Sequence, residues 1–222
     1  MPEADIDLTF ATSAHTSYLK QYHEDTIALL TRMTVGDLVI TTGEVVACDP
    51  LGELRDETID ARFPLGAYPV IVCVAQLPNG MRISSYAMVA FSNAKPIRWD
   101  AARLRNSRGA GMPDQYFVDS GTGCFMDLQC LPLLAAKFTP TDPGDPYRQR
   151  LVLQIYDKDK PNDIGIGTLN VQLAASGANC VIFETGWGDD WYCSYLGYDE
   201  SGTLCCLLTD FAVLDTSRAP DV

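Results

Sequence analysis

The sequence predicts an α+β protein built mainly from antiparallel β-sheet, with an N-terminal amphipathic helix and a short helix after residue 123. Three observations carry this. At least seven strand-like runs follow one another through short connections rather than alternating with helices. The segment YPVIVCVAQLPNGMRISSYAMVAFS holds two apolar runs around Pro78-Asn79-Gly80, where Asn-Gly supplies the positive φ angles of a tight hairpin turn. Only one stretch, Ser13 to Met33, places its apolar residues (Tyr18, Leu19, Tyr22, Ile27, Leu29, Leu30 and Met33) at spacings near three and four, so the helix is set at about residues 13–34.

The elements then follow in order. GDLVITTGEVVACDP reads as strand with Gly43 as a bulge or turn, closed by Asp49-Pro50. After the hairpin comes a looser basic patch with Arg98, Arg103, Arg105 and Arg108, in which WDAARL has the composition of a short helix. QYFVD is a strand running through Gly121 and Gly123 into a helix start, and CFMDLQCLPLLAAKF is a short helix interrupted or restarted at Pro132, which lacks an N–H. RLVLQIYD, GTLNVQL and ANCVIFET are further strands, and a last hairpin turns at Glu200-Ser201-Gly202. With 222 residues and no internal repeat, one domain over residues 1–222 is expected.

Composition narrows the function classes. A formal charge of −13 excludes nucleic acid as a natural partner, because phosphate binding needs a cationic surface. Such acidity serves solubility, and it also steers and holds basic proteins. No apolar run approaches the roughly 20 residues of a membrane-spanning helix. The opening MPEADIDLTFATSAH has acidic residues where a secretory leader has basic ones. Together with eight cysteines that fall mostly in apolar strand-like runs, this points to a reduced, cytoplasmic protein.

Two glycine-punctuated acidic segments stand out: VDSGTGCFMD at 118–127 and TGWGDDWYCSYLGYD at 185–199. A thiol in the first turn of a helix is activated by the N–H groups there, which makes Cys124 a nucleophile candidate; its ordinary alternative is a small buried residue under a tight turn. Cysteine catalysis recruits histidine, and the two histidines, His15 and His23, lie on or beside the N-terminal helix. Asp119, Asp127 and Asp189, with Asp190, are candidates for paired-carboxylate chemistry if the segments meet, or else for turn capping. Trp187, Trp191, Tyr192, Tyr195 and Tyr198 among glycines suit either a binding surface or a sheet-end core. Asp157, Asp159 and Asp163 in DKDKPNDIGIG, with DPGDPY upstream, echo the calcium loops of C2 domains, but hardly ten residues separate them where that layout has several strands. They read as a solvated loop, and neither a metal nor a cofactor is expected.

GEVVACDPL, FPLGAYPV, RISSYAMVAF, YFVDSGTGCFMD and FETGWGDDWYCSYLGYDESGTLCCLLTDFAVL together resemble the bacterial domain of unknown function family 4241, over roughly residues 36–214. The resemblance implies a soluble bacterial protein and supplies no reaction. The family's second motif usually reads GWGDG before a tyrosine and a proline, whereas here Asp190 takes the place of the further glycine and Cys193 stands near the proline position. A backbone angle open only to glycine is thereby put in question. The expected function is an acidic cytoplasmic protein-binding module of the immunity or antitoxin kind, facing a basic partner. The alternative is a small hydrolase or transferase built from Asp119, Cys124, Asp127 and Asp189.

Overall fold

A computed structural model describes residues 8–20, 25–107, 114–138, 144–159 and 164–218. After the short helix α1 (Thr9–Ser13), the chain forms β1 (Thr16–Tyr18), β2 (Ile27–Ile40), β3 (Val45–Cys48), β4 (Gly66–Gln76), β5 (Arg82–Ala90), β6 (Arg98–Ala101), β7 (Gln115–Val118) and β8 (Thr122–Asp127). Two helices follow, α2 (Cys130–Ala135) and α3 (Pro146–Ile155), then β9 (Thr168–Gln172), β10 (Asn179–Glu184), β11 (Asp190–Tyr198) and β12 (Leu204–Asp210). The strands make a large sheet in the order β1-β2-β4-β5-β12-β11-β6, with β7 also on β11, and a small sheet in the order β3-β8-β10-β9. Every pairing among them is antiparallel, as the sequence leads one to expect.

Alternation along the small sheet explains the layering. Val45, Ala47, Phe125, Val181 and Phe183 enter a core shared with the large sheet. Their neighbours Val46, Cys48, Cys124, Met126, Cys180 and Ile182 point the other way, into a second core closed by Leu134 of α2 and by Leu151 and Ile155 of α3. The small sheet is thus buried on both faces, which is why its strands read as continuous apolar runs. The far face of the large sheet is covered in part by the N-terminal segment, tied down where Arg32 Nη1 donates to the Ala14 carbonyl at 2.8 Å.

The expected helix over residues 13–34 is replaced by β1 and the first half of β2, with residues 21–24 outside the described ones. Its apolar spacing was the sum of two strands that pair antiparallel. Within β2, Ala28 and Leu30 are buried while Ile27 and Leu29 are exposed, a period of two fixed by pairing with β1 at Ile27–Leu29 and with β4 from Leu29 onward. RLVLQIYD belongs to helix α3 rather than to a strand. Asp145 caps it by accepting the Arg148 N–H at 2.8 Å, Pro146 occupies the first turn, and Leu151 and Ile155, four apart, are its buried pair. WDAARL contributes strand β6, not a helix. The helix after residue 123 begins only at Cys130, so Pro132 falls in its first turn, where no backbone donor is needed. Cys124 is in the middle of β8, between β3 and β10.

Candidate functional site

The two acidic glycine segments are two of the four places where the chain passes between the sheets, the others being the links that lead into and out of β3. The first leads from β7 in the large sheet to β8 in the small one; the second leads from β10 in the small sheet back to β11 in the large one. Val118 pairs with Asp190 on one side of the corner and Thr122 with Glu184 on the other, so the crossings run antiparallel and in contact. The Thr185 N–H donates to the Gly121 carbonyl at 3.0 Å, carrying the ladder round the bend. Gly121 has φ +66°, and a Cβ there would sit 3.8 Å from the Gly188 Cα. At Gly186, with φ +29°, a Cβ would lie 2.9 Å from the Phe211 Cβ and 3.0 Å from its carbonyl oxygen, so only glycine fits. Asp190 sits in regular strand. Ala212 is the one described non-glycine residue with positive φ, so Asp190 brings no strain to the second motif.

A carboxylate outside both motifs fastens this corner. Buried Asp49, at the end of β3, accepts the N–H groups of Leu51 and Gly52 at 2.8 and 2.9 Å on Oδ1, and those of Asp119 and Ser120, both at 2.9 Å, on Oδ2. The Ser120 hydroxyl donates to Oδ1 at 2.6 Å and lies 2.7 Å from the Thr122 hydroxyl. Asp127 does the same work at the other end of β8. Its Oδ2 accepts the Thr41 and Thr42 N–H groups at 2.6 and 2.8 Å, and its Oδ1 accepts the Thr42 hydroxyl and the Gln129 N–H, both at 3.0 Å. Five residue steps, about 17 Å of strand, separate Asp127 from the corner.

Cys124 is fully buried on the helix-facing side of the small sheet, its sulfur 3.8 Å from that of Cys48. Burial pushes its thiol well above the ordinary range, the opposite of activation. His15 is exposed, and His23 lies outside the described residues. The four residues expected to share a catalytic site are therefore divided: Asp119 and Asp189 both lie at the corner, while Cys124 and Asp127 lie in separate, interior settings. Among the described residues no group of three or more histidine, cysteine, aspartate or glutamate side chains is placed to hold a metal. In the acidic loop, Asp157 accepts the Asp159 N–H at 3.0 Å, and Asp163 lies outside the described residues.

The aromatic residues divide as well. Tyr192 and Tyr195 are buried; the Tyr192 hydroxyl donates to the Gly188 carbonyl at 2.7 Å, its ring meets Phe211 edge-on at 5.2 Å, and burial lifts its phenol to about 12. Trp187 and Trp191 are exposed, Trp191 by 52%. Trp191 lies directly across the strand pair from Phe117, with ring centroids 4.9 Å apart. Asp119, Asp189 and Asp190, within two residues of this pair in the chain, are exposed, and the side chains of Asp119 and Asp189 make no hydrogen bond or ion pair among the described residues.

Glu57, which the sequence reading passed over, lies under this surface. It follows β3 in a stretch where Thr58 bridges to Val46, and its carboxylate accepts the Phe117 N–H. Burial raises it to about 7; Arg55 opposes the shift and Asp49 adds to it. The signal that could have found Asp49 and Glu57 was their position beside short-side-chain, strand-favouring residues, Cys48 and Thr58, both fully buried, where a carboxylate needs donors.

No helix among the described residues is long and apolar enough to cross a membrane. No curated protein and no solved structure shows significant similarity to the chain. The family profile described as "Protein of unknown function (DUF4241)" matches residues 38–209, most of the chain and both crossings, and the chain belongs to that family.

Proposed function

We propose that this DUF4241 protein is a protein-binding module whose contact surface is the outer side of the corner, and that its partner is a basic protein. The observation that carries the reading is exposed Trp191 stacked on half-buried Phe117, with the exposed Asp119, Asp189 and Asp190 within two residues of them in the chain, on a corner fixed from within by Asp49. Exposed tryptophan on a rigid support is the residue type that anchors interfaces, and carboxylates around it select a cationic partner and speed its approach. The net charge of −13 acts in the same direction. The hydrolase or transferase alternative has less support, since Cys124 and Asp127 lie apart from Asp119 and Asp189. Eight free thiols fit a reducing cytoplasm, where such a module acts as an immunity or antitoxin protein does, by covering a basic protein.

The test is affinity capture from native lysate at low salt, comparing the wild type with the double variant Trp191→Ala/Asp189→Asn and with Leu153→Ala on α3 as a remote control. The proposal expects a basic protein that is held by the wild type and by the control, released by raised salt and not held by the double variant. Equal capture by all three proteins, or no basic protein captured by the wild type, refutes it.

A further inference from the structure

The second half of β2 packs on the small sheet, whereas its first half, with the facing ends of β4 and β5, runs past it, and there the inner face is open among the described residues. No bulge interrupts β2 between Ile27 and Met33, so Ile27, Leu29, Thr31 and Met33 point to one side, the side that carries Val72 into the shared core. Ile27 is 42% and Leu29 60% exposed, an unusual state for two large apolar residues on the inward side of a sheet. Beyond them a cavity of about 210 Å³ is lined by Thr31 and Met33 of β2, Val74 and Gln76 of β4, Arg82 of β5, and Ile164. The cross-strand pairs Thr31–Val74 and Gln76–Arg82 set this lining in register.

Arg82 is the charged group of the cavity, and it forms no ion pair among the described residues, in a chain with 29 acidic side chains. It is nonetheless held in place. Its Nη1 donates to the Ile164 carbonyl at 3.2 Å, and Gly165, at φ +75°, lets the loop backbone press so close that a Cβ there would lie 2.5 Å from Nη1 and 2.7 Å from Cδ. A guanidinium has five N–H donors, so one bond to a carbonyl leaves its fork available. We propose that this end of the large sheet binds a small amphipathic carboxylate, its head group on Arg82 with Gln76 and its apolar tail over Met33, Val74 and Ile164 toward Leu29 and Ile27.

Size and charge select this ligand class. The cavity is smaller than the roughly 300–1,000 Å³ of drug-sized sites, and β5 and β2 lie two strand spacings apart, about 10 Å, which suits a short chain rather than a cofactor. A cationic or neutral ligand leaves the guanidinium fork unmatched, whereas a carboxylate meets it with two parallel bonds. The site lies across the large sheet from β7 and β11, so it is independent of the proposed partner surface.

The experiment is a titration of the whole chain, labelled with 13C-methyl methionine, with octanoate, octan-1-ol and octylamine, each below its micelle concentration. The Met33 resonance is identified by its loss in Met33→Leu. Octanoate is expected to shift that resonance saturably and to bind at least tenfold more tightly than octan-1-ol or octylamine. Arg82→Gln is expected to bring octanoate down to the level of the alcohol, and Thr31→Phe, which fills the cavity and leaves Arg82 in place, to abolish the shift. Both positions face solvent, and an unchanged melting temperature verifies that each variant folds. The inference is overturned by the absence of a saturable Met33 shift with octanoate, by equal affinity for the alcohol or amine, or by an Arg82→Gln variant that binds octanoate as the wild type does.

Discussion

The inner and outer sides of the corner use the same residue type for opposite ends. Asp49 under the corner, like Asp127 at the far end of β8, is buried, and each takes four or five hydrogen bonds, mostly from backbone N–H groups; Asp119, Asp189 and Asp190 stand in solvent on the corner, and of these only Asp190 takes a bond, from the adjacent Trp191 N–H. The difference lies in the donors, not in the side chain. A carboxylate that collects orphan N–H groups from two or three loops holds those loops together, and one without donors from another loop is left for another molecule.

Substitutions break this comparison in a definite order. Asp127→Ala removes a buried carboxylate and the four hydrogen bonds by which it ties exposed Thr41 and Thr42 and half-buried Gln129 to the end of β8, and urea unfolding is expected to show a loss of about 3–5 kcal/mol. Gly186→Ala forces a methyl against Phe211 at a positive φ and is expected to cost about 2–3 kcal/mol by the same measurement, whereas Gly188→Ala, where a Cβ meets open space, costs only the strain of its φ of +105°.

Glu57 gives a pH signature. Its folded value is raised from the ordinary 4.5 to about 7, so the folded state binds its proton more tightly than the unfolded chain does. Its contribution is therefore fully present below pH 4.5, declines as pH rises through the interval to 7, and is flat above it. Because the side chain is partly solvated, the change amounts to about 1–2 kcal/mol rather than the full value of the shift. Unfolding measured from pH 4 to pH 8 is expected to show a shallower decline in Glu57→Gln than in the wild type; identical slopes contradict this assignment.

The smallest effects on stability belong to the outer side. Trp191→Ala and Asp189→Asn are expected to move the unfolding free energy by less than about 0.5 kcal/mol while removing partner capture. Cys124 provides a control on the interior. Iodoacetamide at neutral pH is expected to modify half-buried Cys193 before it reaches Cys124, which reacts only on unfolding.

Strand content and both hairpins were legible in the sequence because Asn79-Gly80 and Ser201-Gly202 sit between runs of strand formers. The N-terminal helix was not, because apolar residues of two adjacent strands fell by chance into a spacing of three and four. Helix α3 was missed for the converse reason: RLVLQIY is a short apolar run with strand-forming residues, and the deciding signals were Asp145-Pro146 before it and the single buried pair Leu151 and Ile155. In the site, the two motifs were recognisable by their glycines, but their meeting depends on strand pairing far apart in sequence. Asp49 was read as a loop closure because nothing local shows that its partners are residues 119 and 120.

The division of labour at the corner is tested most directly by measuring urea unfolding of Asp49→Ala and Asp119→Ala side by side. Asp49→Ala is expected to lose at least about 3 kcal/mol, and Asp119→Ala, whose backbone N–H is what the corner uses, to remain within about 0.5 kcal/mol of the wild type. Equal losses in the two variants contradict the account, because the exposed aspartates would then be part of the structure and not a surface kept for a partner.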